Sequence, residues 1–157
     1  MTSPIVIRAV APAETLSLRR EMLRPDRPLC ESIYIGDEDS TTIHLGAFVG
    51  DNLIAVASLY PEALPESVEA GIEATGDRTW RLRGMAVQAT FHGQGYGRQL
   101  LNWCLQSVAR QAGSILWCNA RSPAVGFYRA AGFQILGSEF IIAGIGSHFV
   151  MARRVQS

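Results

Sequence analysis

Three glycines in alternation, Gly93, Gly95 and Gly97, stand between a strand-like run that ends near Val87 and a helix-like run that begins near Arg98. Glycine lets a backbone turn sharply and approach a ligand with no side chain in the way. The amides that open the following helix have no intrahelical acceptor, and the helix dipole favours negative charge there. The turn therefore suits an anion of the pyrophosphate kind. His92 and Arg98 add a donor and a fixed positive charge beside it. Two common phosphate motifs fit poorly. The triphosphate loop ends in Gly-Lys-Ser/Thr, and this chain has no lysine. The dinucleotide fingerprint is spaced Gly-x-Gly-x-x-Gly after a first strand, whereas these glycines lie mid-chain at a tighter spacing. Taken alone, the glycine spacing is better read as a tight turn with close helix–sheet packing.

The elements around the turn follow from hydrophobic periodicity. Ile5–Val10 reads as a first strand, and Pro12 opens a helix that runs to about Leu23. From Pro25 to Thr42 the chain is polar and turn-rich, a long loop with room for a short helical turn, and loops of this length often form the wall or lid of a site. Ile43–Val49 and Leu53–Tyr60 form a hairpin across Gly50-Asp51-Asn52. A second loop runs from Pro61 through Gly71 and Gly76, and a strand follows over Thr79–Val87. Leu100, Leu101, Cys104, Leu105, Val108 and Ala112 recur at helical spacing, with Gly113 as the C-terminal cap. Ile115–Cys118 is a short buried strand. Ser122 and Pro123 are an N-cap and first helical position for a helix to about Ala131, stopped by Gly132. Phe133–Ile142 and Ser147–Arg153 are the last two strands. This order predicts an α/β (α+β) domain, spanning residues 1–157, on one mixed, mostly antiparallel sheet of about six to seven strands flanked by helices.

Composition excludes several classes. The chain has 157 residues, 48% of them hydrophobic, with 14 acidic residues against 14 basic ones, all arginine. One ordered domain suits that length and apolar content. A zero formal charge without dense basic runs argues against nucleic-acid and membrane-surface partners. No apolar run reaches spanning length and no signal-peptide pattern opens the chain, so cytoplasmic residence is expected. Cys30, Cys104 and Cys118 are too few and too far apart for a disulfide framework or a Cys-x-x-Cys metal site, and no metal is expected. Cys104 and Cys118 fall in apolar periodic segments, where reduced cysteine packs as a small hydrophobe.

The run from Met85 through Leu101 resembles the acetyl-CoA motif of the GNAT superfamily of N-acetyltransferases, in which a strand precedes Arg/Gln-x-x-Gly-x-Gly/Ala and a helix. His92, Gly95 and Gly97 occupy the matching positions; His92 stands where Arg or Gln is usual, and Ala89 where proline is frequent. A second stretch, Trp117-Cys118-Asn119-Ala120-Arg121 followed by Ala124 through Phe133, resembles the next strand and helix of these proteins, with their Asn-x-x-Ala-x-x-Phe-Tyr-x-x-x-Gly-Phe pattern loosely matched. The resemblance is clear over about residues 80–140.

It implies an acetyl-CoA-dependent N-acetyltransferase that passes the acetyl group to a primary amine by direct attack in a ternary complex. Backbone groups of Met85, Ala86 and Val87 would pair with the pantetheine arm and polarise the thioester, and the segment His92, Gly93, Gln94, Gly95, Tyr96, Gly97 and Arg98 would hold the pyrophosphate. Asn119 and Phe127 would line the cofactor arm, Arg129 would reach its phosphates, and Tyr128 would protonate the departing thiolate. A tyrosine between Phe127 and Phe133 also suits plain packing. For a general base, Glu31, His44, Glu139 and His148 are candidates and none is assigned. Asp37, Glu38 and Asp39 would attract an amine but read as solvated surface, while Arg78, Arg81 and Arg83 would suit an anionic acceptor. The acceptor is a small-molecule or peptide amine, and many members of the superfamily pair as homodimers. The alternative is a CoA-binding regulatory module that keeps the fold without turnover; an unrelated acyl- or nucleotide-binding domain comes third.

Overall fold

Leu53 to Tyr60 is a continuous apolar run, and such runs become strands covered on both faces. In the computed structural model, which describes residues 4–72 and 78–155, every residue from Ile54 to Tyr60 is buried. The strands are β1 (Val6–Ala9), β2 (Ile43–Val49), β3 (Asn52–Pro61), β4 (Thr79–Val87), β5 (Ile115–Arg121), β6 (Gln134–Ile142) and β7 (Gly146–Arg154). The helices are α1 (Leu16–Leu23), α2 (Tyr96–Arg110) and α3 (Val125–Ala130). The seven strands form one mixed sheet in the order β1-β2-β3-β4-β5-β7-β6. Pairing is antiparallel in β1/β2, β2/β3, β5/β7 and β6/β7 and parallel in β4/β5, so the sheet is mixed and mostly antiparallel, as the sequence predicts. Among the described residues no helix is long and apolar enough to cross a membrane.

Two compact units divide the chain. The first comprises Met1–Tyr60 and Leu82–Leu105, the second Pro61–Arg81 and Gln106–Ser157. In the first, β2 and β3 are joined by a two-residue turn in which Gly50 takes φ 59°, and Leu18, Val56 and Ala86 form a small core. Pro12–Thr15 forms a 3₁₀ turn before α1 rather than its first α-helical turn, closed by the Glu14 carboxylate accepting the Ala11 amide at 3.0 Å. In the second unit, β4 and β5 pair over Thr79–Arg81 and Ile115–Trp117, while β4 runs on to Val87 and β5 to Arg121. The core here is Leu64, Val68, Ile72, Ile115, Trp117, Leu136, Val150 and Ala152. Three of these come from the segment read as a loop. Glu66–Gly71 is a short 3₁₀ helix within it, and Gly76 lies outside the described residues.

Two expected caps are placed differently. The left-handed residue after α2 is Ala112, at φ 59°, and the Gly113 amide donates back to the Val108 carbonyl at 2.9 Å. That is the six-to-one bond of a Schellman end with Gly113 one place beyond the usual glycine. Space, not φ, demands glycine at 113, because a Cβ there would lie 2.4 Å from Val108 Cγ1 and 2.8 Å from Trp80 Cδ1. Gly113→Ala is expected to destabilise the protein by about 1–3 kcal/mol through overpacking, read as a lower denaturation midpoint at unchanged slope. Ser122 is likewise no N-cap. It lies inside a 3₁₀ turn (Ser122–Ala124), and its hydroxyl donates to Ser147 Oγ at 2.5 Å.

Candidate acyl-transfer site

The glycine turn begins where β4 ends. The Gln88 amide donates to the Ile54 carbonyl at 2.8 Å, a 3₁₀ turn covers Ala89–Phe91, and the His92 amide closes it onto the Ala89 carbonyl. Gly93 and Gly95 follow at φ 75° and 86°, a region that side chains rarely enter, and a Cβ on either would meet nothing within 4 Å. The glycines thus serve backbone conformation, and open space lies beside them. α2 starts at Tyr96, with its first bond from the Gln99 amide to the Gly95 carbonyl. Residues 92–95 are exposed, and the first-turn amides of α2 that follow them have no intrahelical acceptor.

Side chains in the loop behave less uniformly than the sequence suggests. His92 Nε2 lies 2.6 Å from the Val87 carbonyl. A carbonyl only accepts, so Nε2 carries the proton and His92 braces its own loop instead of pointing a donor outward. Gln94 does the same, donating to the Thr90 carbonyl at 3.1 Å. Tyr96 is buried, edge-on to Phe91, so its ring is not presented to an anion. Gly97 sits in the first turn of α2, and Arg98 is exposed. Upstream, Gly84 at φ 64° kinks β4 just before Met85, Ala86 and Val87.

In the second unit, Asn119 Oδ1 on β5 is buried and has no hydrogen-bond partner among the described residues. An unpaired buried carbonyl costs about 1–3 kcal/mol, which a ligand N–H would offset. Tyr128 on α3 is buried, T-shaped against Phe127 and Phe133 with centroids 5.1 and 5.4 Å away. Phe127 and Arg129 are exposed. Burial pushes the Cys118 thiol up to about 12, only partly countered by Arg81 and Tyr128, and burial likewise takes Cys104 to about 12, only partly countered by a backbone hydrogen bond. Both therefore stay protonated and inert. Cys30 is exposed, so a disulfide-exchange reagent should titrate one thiol in the native protein and three after denaturation. Rapid native reaction of more than one would contradict the burial.

The base candidates separate clearly. His44 Nε2 faces the Asp37 carbonyl at 2.9 Å and Nδ1 faces Ser58 Oγ at 2.6 Å, so both ring nitrogens are satisfied inside the protein. Glu31 pairs with Arg27 at an exposed site. His148 is buried, Nδ1 donating to the Gly146 carbonyl at 2.8 Å and the ring stacked on Phe140. Glu139 accepts the Ser147 hydroxyl, which in turn accepts that of Ser122.

The charged clusters also resolve. Glu38 and Asp39 are exposed, but Asp37 is buried, and the reading of that run as solvated surface fails there. Asp37 is bound by Arg19, a residue the sequence did not single out, at 2.7 Å. Burial raises the Asp37 pKa, but hydrogen bonds from Arg19, Tyr60 and the Tyr34 amide outweigh it and hold the carboxyl below its ordinary value. Its contribution to stability is accordingly present at neutral pH and lost as pH falls through that lowered value. Arg81 pairs with Glu62 at 2.9 Å and covers the Trp117 ring, Arg83 covers Tyr34, and Arg78 donates to the Ala112 carbonyl.

A family model described as the acetyltransferase (GNAT) family matches residues 12–133. The chain belongs to the GNAT acetyltransferase family. It is 31% identical over 151 residues to an uncharacterized N-acetyltransferase, YitI, of Bacillus subtilis strain 168, covering 96% of this chain and 97% of that protein. Among solved structures it resembles an aminoglycoside 6'-N-acetyltransferase complexed with coenzyme A, with TM-score 0.70 at 16% identity over 97% of this chain and 98% of the other. It also resembles the ribosomal-protein-S18-alanine N-acetyltransferase of Escherichia coli, with TM-score 0.73 at 14% identity over 98% and 96%. The likeness to these structures is one of fold. The seven-stranded mixed sheet with its three helices is thus that of a GNAT acetyltransferase.

Proposed function

We propose that this GNAT acetyltransferase uses acetyl-CoA and transfers its acetyl group to a primary amine of a small molecule or peptide by direct attack in a ternary complex. The observation that carries the reading is the loop at the start of α2, where Gly93 and Gly95 hold positive φ beside open space and an exposed turn opens a fifteen-residue helix. Backbone amides of Gly93 to Arg98 hold the pyrophosphate, which explains how a chain without lysine binds a polyanion. Arg98 and Arg129 are exposed charges available to the outer phosphates. Met85, Ala86 and Val87 lie beyond the three paired positions of β4 and β5, which supports their backbone as the partner of the pantetheine amides and of the thioester carbonyl. His92 already occupies the Val87 carbonyl, so Met85 and Ala86 supply most of that edge.

Acetyl-CoA supplies an activated acyl group on a good leaving thiol. The orphaned Oδ1 of Asn119 fits a donor on its pantetheine arm, and Tyr128 hands a proton to the departing thiolate. The family match runs through residues of both compact units, which supports 1–157 as one functional domain. Family habit and the neutral charge balance support the remaining parts of the reading: cytoplasmic residence, pairing into a homodimer, and no nucleic-acid or membrane partner. Calorimetric titration with CoA, beside thiol release from acetyl-CoA across a broad amine panel, tests the reading. Binding with acceptor-dependent release is expected. Binding with no release on any amine would favour the regulatory module, and no binding at millimolar CoA would overturn both.

A further inference from the structure

Arg19 on α1 has a side chain 0% exposed, and its hydrogen bonds draw distant parts of the chain together. Nη1 donates to Asp37 Oδ2 at 2.7 Å and to the Ser32 carbonyl at 2.9 Å. Nη2 donates to Asp37 Oδ1 at 3.2 Å, Ser58 Oγ at 2.8 Å and Tyr60 Oη at 3.2 Å. Tyr60 and the Tyr34 amide also donate to Asp37, at 2.5 and 2.9 Å. The guanidinium lies over the Tyr34 ring at 4.1 Å, and Arg83 lies over the same ring at 4.2 Å. Loop 29–42 is thereby fastened to α1 and to β3.

Buried ion pairs are frequently no more stabilising than apolar residues of the same volume, so the energy of the pair does not account for this investment. Its geometry does. Arg19 Nε has no hydrogen-bond partner among the described residues and packs against Gly84, where a Cβ would lie 2.8 Å from Nε and 3.0 Å from Tyr34 Cε2. Gly84 is the positive-φ residue of β4 immediately before Met85. We propose that Arg19, braced by Asp37, is a positioning residue for acyl transfer: its guanidinium and the Tyr34 ring form the bed on which the Gly84 kink rests, and so fix the backbone of Met85–Val87. The proposal rests on the reading that this backbone polarises the thioester. Asp37 neutralises the charge of Arg19, so the bed acts through shape, and a small displacement of the backbone it supports suffices to lose rate.

Arg19→Lys, which keeps the charge but loses the planar fork, and Tyr60→Phe, which removes one hydroxyl from the network, test this against wild type. Each is measured for cooperative melting, CoA affinity by calorimetry, and kcat by thiol release. The expected result is a kcat lower by about tenfold or more in a cooperatively melting variant whose CoA Kd stays within about twofold, because misplacement at the reacting carbonyl costs rate and leaves the pyrophosphate loop intact. Should Arg19→Lys fail to fold, Tyr60→Phe decides alone. Wild-type kcat in a folded variant, or a fall in kcat matched by an equal loss of CoA affinity, would overturn the proposal. A wild-type protein that binds no CoA or releases no thiol would instead sink the reading beneath it.

Discussion

Tyr128→Phe is expected to lower kcat by about 10²–10⁴-fold, the usual worth of a positioned general acid, with CoA affinity unchanged. The substitution removes one oxygen from a ring held between Phe127 and Phe133, so the aromatic packing stays in place. Losing that oxygen should cost no more than about 1 kcal/mol of stability, the net worth of one ordinary hydrogen bond. Rate and stability are therefore expected to part company. Steady-state kinetics beside a denaturation curve and CoA calorimetry check this. A variant with wild-type kcat would return Tyr128 to the packing role that its burial also permits.

Gly95→Val should act on the other half of the reaction. At φ 86° a β-branched residue is severely disfavoured, and even an ordinary side chain in left-handed backbone costs about 1–2 kcal/mol. The new side chain meets open space, so the core is untouched and the loop relaxes by abandoning positive φ. That relaxation re-aims amides meant for the pyrophosphate. With charge-assisted bonds worth about 1.5–3 kcal/mol each, losing one or two should raise the KM for acetyl-CoA roughly 100-fold while kcat at saturation stays within a few-fold. Gly126→Ala on α3, also beside open space but without positive φ, is the matched control. An unchanged KM in Gly95→Val would remove the loop from cofactor binding.

Local signals made the glycine turn, the β2–β3 hairpin and the strand–helix–strand–helix run legible in the sequence, because each depends on residues a few positions apart. What stayed hidden depends on partners far along the chain. Nothing near Arg19 marks it for burial; its partner lies 18 residues on and Ser58 and Tyr60 further still. Gly113 has the right residue type for a cap, yet Trp80 and Val108 decide its role. Ser122 and Pro123 look like a helix start, but Ser147 takes the hydroxyl. Of the loop side chains, sequence placed His92 and Tyr96 beside the anion, whereas one turns back to Val87 and the other packs into the core. Backbone roles were readable there and side-chain roles were not, because glycine spacing sets the path of the chain without setting rotamers.

Initial rates of thiol release, with acetyl-CoA and the best amine of the panel both varied and the acetylated product identified by mass spectrometry, test the central claim most directly. The account predicts release that requires the amine, an N-acetyl product, and double-reciprocal lines that intersect, as a ternary complex demands. Parallel lines with acetyl carried on the protein would contradict direct attack, and CoA binding without any amine-dependent release would contradict transfer itself.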